Sequence, residues 1–216
     1  MNYQNRNYTI FGDLKASTFL MYLVDESNPE DYEQIYQKVS NESQLCMIAV
    51  SIHDWQGELS PWSAPAIFGK HDFAGNAAKF LAELEGFWKW FKDEHNIESS
   101  QMYLCGYSLA GLFALWASSQ TNLFTKIAAV SPSVWFLNFV QYMQQNQVHA
   151  SEVYMSLGDK EANAKNKVMA TVKDCFEAVI QIIQKQNISL TYEYNPGNHF
   201  QDVELRMIKG IQQLLL

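Results

Sequence analysis

A chain of 216 residues, 48% hydrophobic and 18% charged, is long enough to bury a sizeable core and has the make-up of an ordinary globular domain. Its formal net charge of −8 excludes a strongly basic surface, and with it a nucleic-acid or anionic-membrane partner. No apolar run approaches the length of a membrane span, and the polar opening Met1-Asn2-Tyr3-Gln4-Asn5-Arg6-Asn7 lacks a signal-peptide core, so a cytoplasmic protein is expected.

In chain order, the strand candidates are Tyr8–Phe11, Thr18–Val24, Cys46–Ile52, Met102–Cys105, Ile127–Ser131, Val153–Leu157 and Leu190–Tyr194. Several are almost continuously apolar, as strands buried on both faces are. The first two, separated by Gly12-Asp13-Leu14-Lys15, read as an antiparallel pair at one sheet edge. The longest irregular stretch, Asp54 to Gly75, follows the third strand, at the sheet end where α/β proteins bind ligands. Between the strands lie helical patterns. Ala77, Phe80, Leu81, Leu84, Phe87, Trp88 and Phe91 recur at spacings of three and four. Val168, Val172, Cys175, Phe176, Val179, Ile180 and Ile183 do so again, as do Val203, Met207, Ile208, Ile211 and Leu214. This alternation predicts one α/β domain over 1–216, a mostly parallel central sheet flanked by helices. The three cysteines, Cys46, Cys105 and Cys175, each sit in an apolar context and read as reduced, buried thiols. None has metal-ligand spacing with a histidine.

The chemistry concentrates at Leu104-Cys105-Gly106-Tyr107-Ser108-Leu109-Ala110-Gly111. An apolar run enters a Gly-x-Ser turn and a helix of small residues leaves it, the pattern of a nucleophile elbow. The residues two before and two after the serine must be small, because strand and helix approach closely there. Gly106 meets that need. Ala110 stands where glycine is usual and adds one methyl. The backbone N–H of Leu109 would then face a developing oxyanion.

A serine nucleophile needs a base and an orienting acid, in the chain order serine, acid, histidine. Of five histidines only His149 and His199 follow Ser108. His149 reads as solvent-facing. His199 follows a strand and the turn Asn195-Pro196-Gly197-Asn198, and precedes the last helix, where a catalytic base is expected. The acid should follow Val153–Leu157, which ends in Gly158-Asp159-Lys160-Glu161. A glycine, two residues and then the acid selects Glu161, with Asp159 the alternative. A second oxyanion donor should come from the backbone near His53, Asp54 and Trp55, with Trp55 preferred. Trp55, Trp62, Trp135 and Phe200 are candidates to line an apolar substrate pocket.

With these residues in hand, the chain resembles the esterase family of α/β-hydrolases that includes enterochelin-esterase-like and esterase-D-like proteins. The resemblance rests on Leu104 to Leu115, on Ser131-Pro132-Ser133-Val134-Trp135-Phe136, on Gly158-Asp159-Lys160-Glu161 and on Gly197-Asn198-His199-Phe200. It covers roughly residues 45 to 216. It implies the α/β-hydrolase fold without a large cap domain, and hydrolysis of a small-molecule ester or thioester through an acyl-enzyme. It implies neither a metal nor an organic cofactor. The family also contains acyltransferases, so transfer to an acceptor other than water, or a binding domain retaining the fold, are the alternative readings.

Overall fold

The computed structural model describes residues 1–25, 29–39, 45–98 and 100–216. The chain opens with β1 (Asn2–Tyr3), β2 (Arg6–Phe11), β3 (Thr18–Asp25), α1 (Pro29–Val39) and β4 (Leu45–Ile52). The loop that follows holds α2 (Trp55–Glu58) and a two-residue ladder of β5 (Ser63–Ala64) with β6 (Phe73–Ala74). Then come α3 (Ala77–His95), β7 (Gln101–Tyr107), α4 (Leu109–Ala117), β8 (Lys126–Val130) and α5 (Phe139–Gln145). The chain ends with β9 (Glu152–Gly158), α6 (Val172–Gln184), β10 (Ser189–Asn195) and α7 (Val203–Leu214).

Among the described residues the main sheet has eight strands in the order β1-β2-β4-β3-β7-β8-β9-β10. The run from β4 to β10 is parallel, and β2 pairs antiparallel with β4. Alternation along β3 divides the core. Phe19, Met21 and Leu23 join the cluster under α3, α4, α5 and α6, whereas Leu20, Tyr22 and Val24 join the one under α1 and α7. Burial on both faces explains why these strands read as unbroken apolar runs. The structure is thus an α/β-hydrolase fold. No helix among the described residues is long and apolar enough to cross a membrane.

Three expectations are corrected. The first two strand candidates do not pair with each other, because β4 lies between them: Tyr8 is opposite Val50 and Thr18 opposite Leu45. The connection passes over the start of β4 at Gly12, whose φ is 102° and where a Cβ would stand 2.5 Å from the Leu45 carbonyl oxygen. β3 is buried from Phe19 to Val24, which demands a neighbour on each side. The second helical pattern starts late: residues Met169–Thr171 form a 3-10 turn and α6 begins at Val172, leaving Val168 exposed. Finally, Cys46 and Cys105 are buried, but Cys175 is half-buried. Burial pushes the Cys46 thiol up to about 12, which keeps it protonated and unreactive.

The N-terminal strand is fastened from beneath. Arg6 is 3% exposed; its Nε donates to Glu83 Oε1 at 2.6 Å and its Nη2 to Glu58 Oε1 at 2.8 Å. Nη1 donates to the Ser51 carbonyl at 2.6 Å, and the guanidinium lies 4.7 Å from the Phe80 ring centroid. Burial pulls the Arg6 pKa down, but its hydrogen bonds to Glu83 and Glu58 and their charge outweigh it and hold the cation above its ordinary range. This clasp ties β2 and the end of β4 to α2 and α3.

Candidate active site

Every group singled out for chemistry lies beyond the carboxyl ends of the parallel strands. Ser108 joins β7 to α4 with φ 58° and ψ −118°. That conformation costs a non-glycine residue roughly 1–3 kcal/mol, so the surroundings must enforce it. They do so through the backbone: Ser108 N–H donates to the Val130 carbonyl at 3.1 Å, and its own carbonyl accepts from Ser133 N–H at 3.0 Å. Gly106 cannot be anything larger, because a Cβ there would meet the Ala110 carbonyl carbon and oxygen at 2.5 Å. Ala110 itself is buried and accommodated. The turn is an elbow despite the departure from glycine.

His199 and Glu161 converge on this serine. His199 Nε2 lies 3.0 Å from Ser108 Oγ, and Nδ1 lies 2.7 Å from Glu161 Oε2. Of the two carboxylates weighed in the sequence, Glu161 is the one that stands against His199. It is 6% exposed, and its second oxygen accepts from Gly158 N–H at 2.7 Å. Burial pushes its pKa up, but hydrogen bonding and charge from His199, with the Gly158 amide, prevail and hold it below the usual carboxylate range. Asp159 is exposed and does a different job: its Oδ1 accepts from Gly197 N–H at 2.8 Å. That bond laces the acid loop to the histidine loop, alongside Lys160 N–H on the Gly197 carbonyl. His149 is exposed.

Two further residues belong to the arrangement. Ser133 Oγ stands 3.3 Å from Ser108 Oγ. Arg206, on α7, is 1% exposed and donates from Nη1 to Glu161 Oε1 at 3.1 Å and from Nη2 to the Pro196 and Asn198 carbonyls at 2.9 and 3.0 Å. Sequence reasoning passed over it. The available signal was a cation one helical turn from Val203 and Gly210, inside the apolar stripe of an amphipathic helix.

Leu109 and Trp55 are the first residues of α4 and α2, so both N–H groups are first-turn amides with no carbonyl to bond within their helices. The His53 amide is engaged elsewhere, donating to Glu58 Oε2 at 3.3 Å. A cavity of about 820 Å³ opens over Ser108 and His199, with Trp55, Trp135 and Phe200 in its walls. Phe200 is 84% exposed and meets the His199 ring edge-on at 5.3 Å. Trp62 does not join them. Its Nε1 donates to the Leu137 carbonyl at 3.0 Å and its ring packs against Phe136 and Tyr142. Trp135 also lines a second, largely apolar cavity of about 510 Å³.

The fold is that of the α/β-hydrolases. The protein is similar to the IroE-like serine hydrolase of Shewanella oneidensis, at 17% identity and TM-score 0.79, over 97% of this chain and 75% of that one. The siderophore hydrolase EstA of Aspergillus nidulans matches at 18% identity and TM-score 0.72, over 94% of this chain and 84% of the other. The enterobactin esterase FES of Shigella flexneri matches at 13% and 0.69, over 97% of this chain and 55% of that one. These neighbours are of the enterochelin-esterase-like kind that the elbow and the Ser-Pro-Ser-Val-Trp-Phe block resemble; at such identities the likeness establishes the fold. No protein-family model and no curated protein matches the chain in sequence.

Proposed function

We propose that the protein is a serine hydrolase that cleaves a small carboxylic ester or thioester through an acyl-enzyme. The observation that carries this reading is the unbroken line from Ser108 through His199 to Glu161, at 3.0 and 2.7 Å. An ionised Glu161 accepts the Nδ1–H of His199, which leaves the Nε2 lone pair facing the serine hydroxyl. His199 takes the Ser108 proton as Oγ bonds to the ester carbonyl carbon. The oxyanion rests on the N–H groups of Leu109 and Trp55. The imidazolium then gives its proton to the leaving alcohol as the tetrahedral adduct collapses. Water, activated by the same nitrogen, releases the acid. The aromatic walls suit a compact acyl or aryl group. Three unbridged cysteines fit a reducing compartment, so we assign the enzyme to the cytoplasm.

Hydrolysis of p-nitrophenyl acetate tests the reading. Ser108→Ala is expected to lose at least about 10⁴-fold in kcat. Equal rates for the variant and the parent protein would sink the proposal. A fluorophosphonate should label Ser108, and His199→Ala should abolish labelling.

A further inference from the structure

The mechanism above gives Arg206 nothing to do, yet the fold buries it almost completely. Burying a guanidinium costs several kcal/mol unless it is well paired, and replacing a buried ion pair by apolar side chains is often neutral or stabilising. A helix stripe made of Val203, Met207, Ile211 and Leu214 would pack as well around a leucine. Something other than packing therefore accounts for this cation.

Its partners indicate what. Nη1 is within 3.1 Å of Glu161 Oε1, 3.2 Å of Ser131 Oγ and 3.3 Å of the Tyr107 hydroxyl. Nη2 holds the Pro196 and Asn198 carbonyls. The Tyr107 hydroxyl in turn donates to the His199 carbonyl at 2.6 Å. The guanidinium thus touches the acid, the chain just before the base, and the side chain adjoining the nucleophile. Its Nε–H, buried, has no hydrogen-bond partner among the described residues. The group is oriented for these contacts and not for its own full satisfaction. Gly158 leaves the room: a Cβ there would stand 2.9 Å from both Arg206 Nη2 and Glu161 Oε1.

We propose that Arg206 is a positioning residue for the Ser108–His199–Glu161 line. By occupying Glu161 Oε1 it turns Oε2 toward His199 Nδ1. By gripping the carbonyls of 196 and 198, and with Tyr107 on that of 199, it fixes the height of the imidazole over Ser108. This rests on the esterase reading above.

The test measures p-nitrophenyl acetate hydrolysis and fluorophosphonate labelling of the whole chain. Arg206→Met should lower kcat about 10- to 100-fold with KM little changed, the size of effect that small misplacement produces. Arg206→Lys, which restores a cation for Glu161 but not the planar fork, should recover part of the loss. In a Glu161→Gln background, removing Arg206 should cost clearly less than in the parent, because part of its effect passes through Glu161. An equal loss in both backgrounds, or a change confined to KM, would overturn the proposal. Should Arg206→Met fail to fold, Tyr107→Phe and Arg206→Lys carry the test. If both label at the parent rate, the proposal is wrong. If the parent protein labels at Ser108 and these two label more slowly, it stands. A parent protein that never labels overturns the esterase reading and this inference together.

Discussion

Two buried arginines hold the two flanks of the site, and they are built differently. Arg6 serves two carboxylates, Glu58 and Glu83, and behind Glu58 lie the His53 amide and the loop that carries Trp55. Arg206 has one carboxylate, Glu161, and shares it with His199. Its remaining partners are carbonyls and hydroxyls. The Arg6 cluster is closed on itself and fastens strands to helices. The Arg206 cluster is open at one end, and that end is the proposed chemistry. A closed cluster should be read out in stability, an open one in rate.

The largest effect should come from the open cluster. Glu161→Gln is expected to lower kcat/KM by on the order of 10⁴, since an amide cannot fix the same imidazole tautomer. The matching change Glu58→Gln should leave kcat/KM within about tenfold, and steady-state kinetics on both variants checks the contrast. Next comes Arg6→Met, which strands two carboxylates beside an apolar ring. Urea unfolding should show a loss of about 3–5 kcal/mol, the usual result of breaking a buried ion pair. If Arg6→Met proved as stable as the parent, the closed-cluster view would fail.

Acid should act on the open cluster as well. The folded state holds the Glu161 pKa below its ordinary value. A depressed carboxylate contributes stability that is full above its unfolded pKa, roughly 4.3, and is lost as pH falls through the folded value. Thermal unfolding followed from pH 6 downward should therefore show a loss that Glu161→Gln flattens. The smallest effect is expected at Asp159→Asn. The amide oxygen can still accept from Gly197 N–H, so kcat/KM should stay within about twofold. A large loss there would return Asp159 to contention as the acid.

The sequence made the elbow and its partners legible because each is a local signal. Gly106 and Ser108 lie two residues apart, Gly158 and Glu161 three apart, and His199 stands in a turn between a strand and a helix. Local spacing also favoured Glu161 over Asp159, and Glu161 is the carboxylate that lies against His199. What it could not show was non-local. The place of β4 between β2 and β3 depends on which strand enters the gap, and two apolar runs beside a short turn read equally well as a hairpin. Trp62 follows a strand-end loop just as Trp55 does, yet its indole N–H finds the Leu137 carbonyl 75 residues away. Arg206 looked like an ordinary helix residue because its partners come from β7, the start of the loop after β8, the acid loop and the histidine loop, all brought together only by the fold.

Trp135 carries a consequence of another kind. One indole stands between the cavity over Ser108 and the apolar cavity beside it, lining both. The adjoining wall passes through the neighbouring residues Ile67 and Phe68, and Val168 and Met169, held together by Asn166 Nδ2 on the Ile67 carbonyl at 3.0 Å. In the hydrolase proposed above, selectivity for acyl length would thus be separable from the reactive groups. Trimming this ring would let longer chains in while the proton path stayed as it is. On that reading, a single codon at position 135 would change the diet of such an enzyme without costing it the ability to digest.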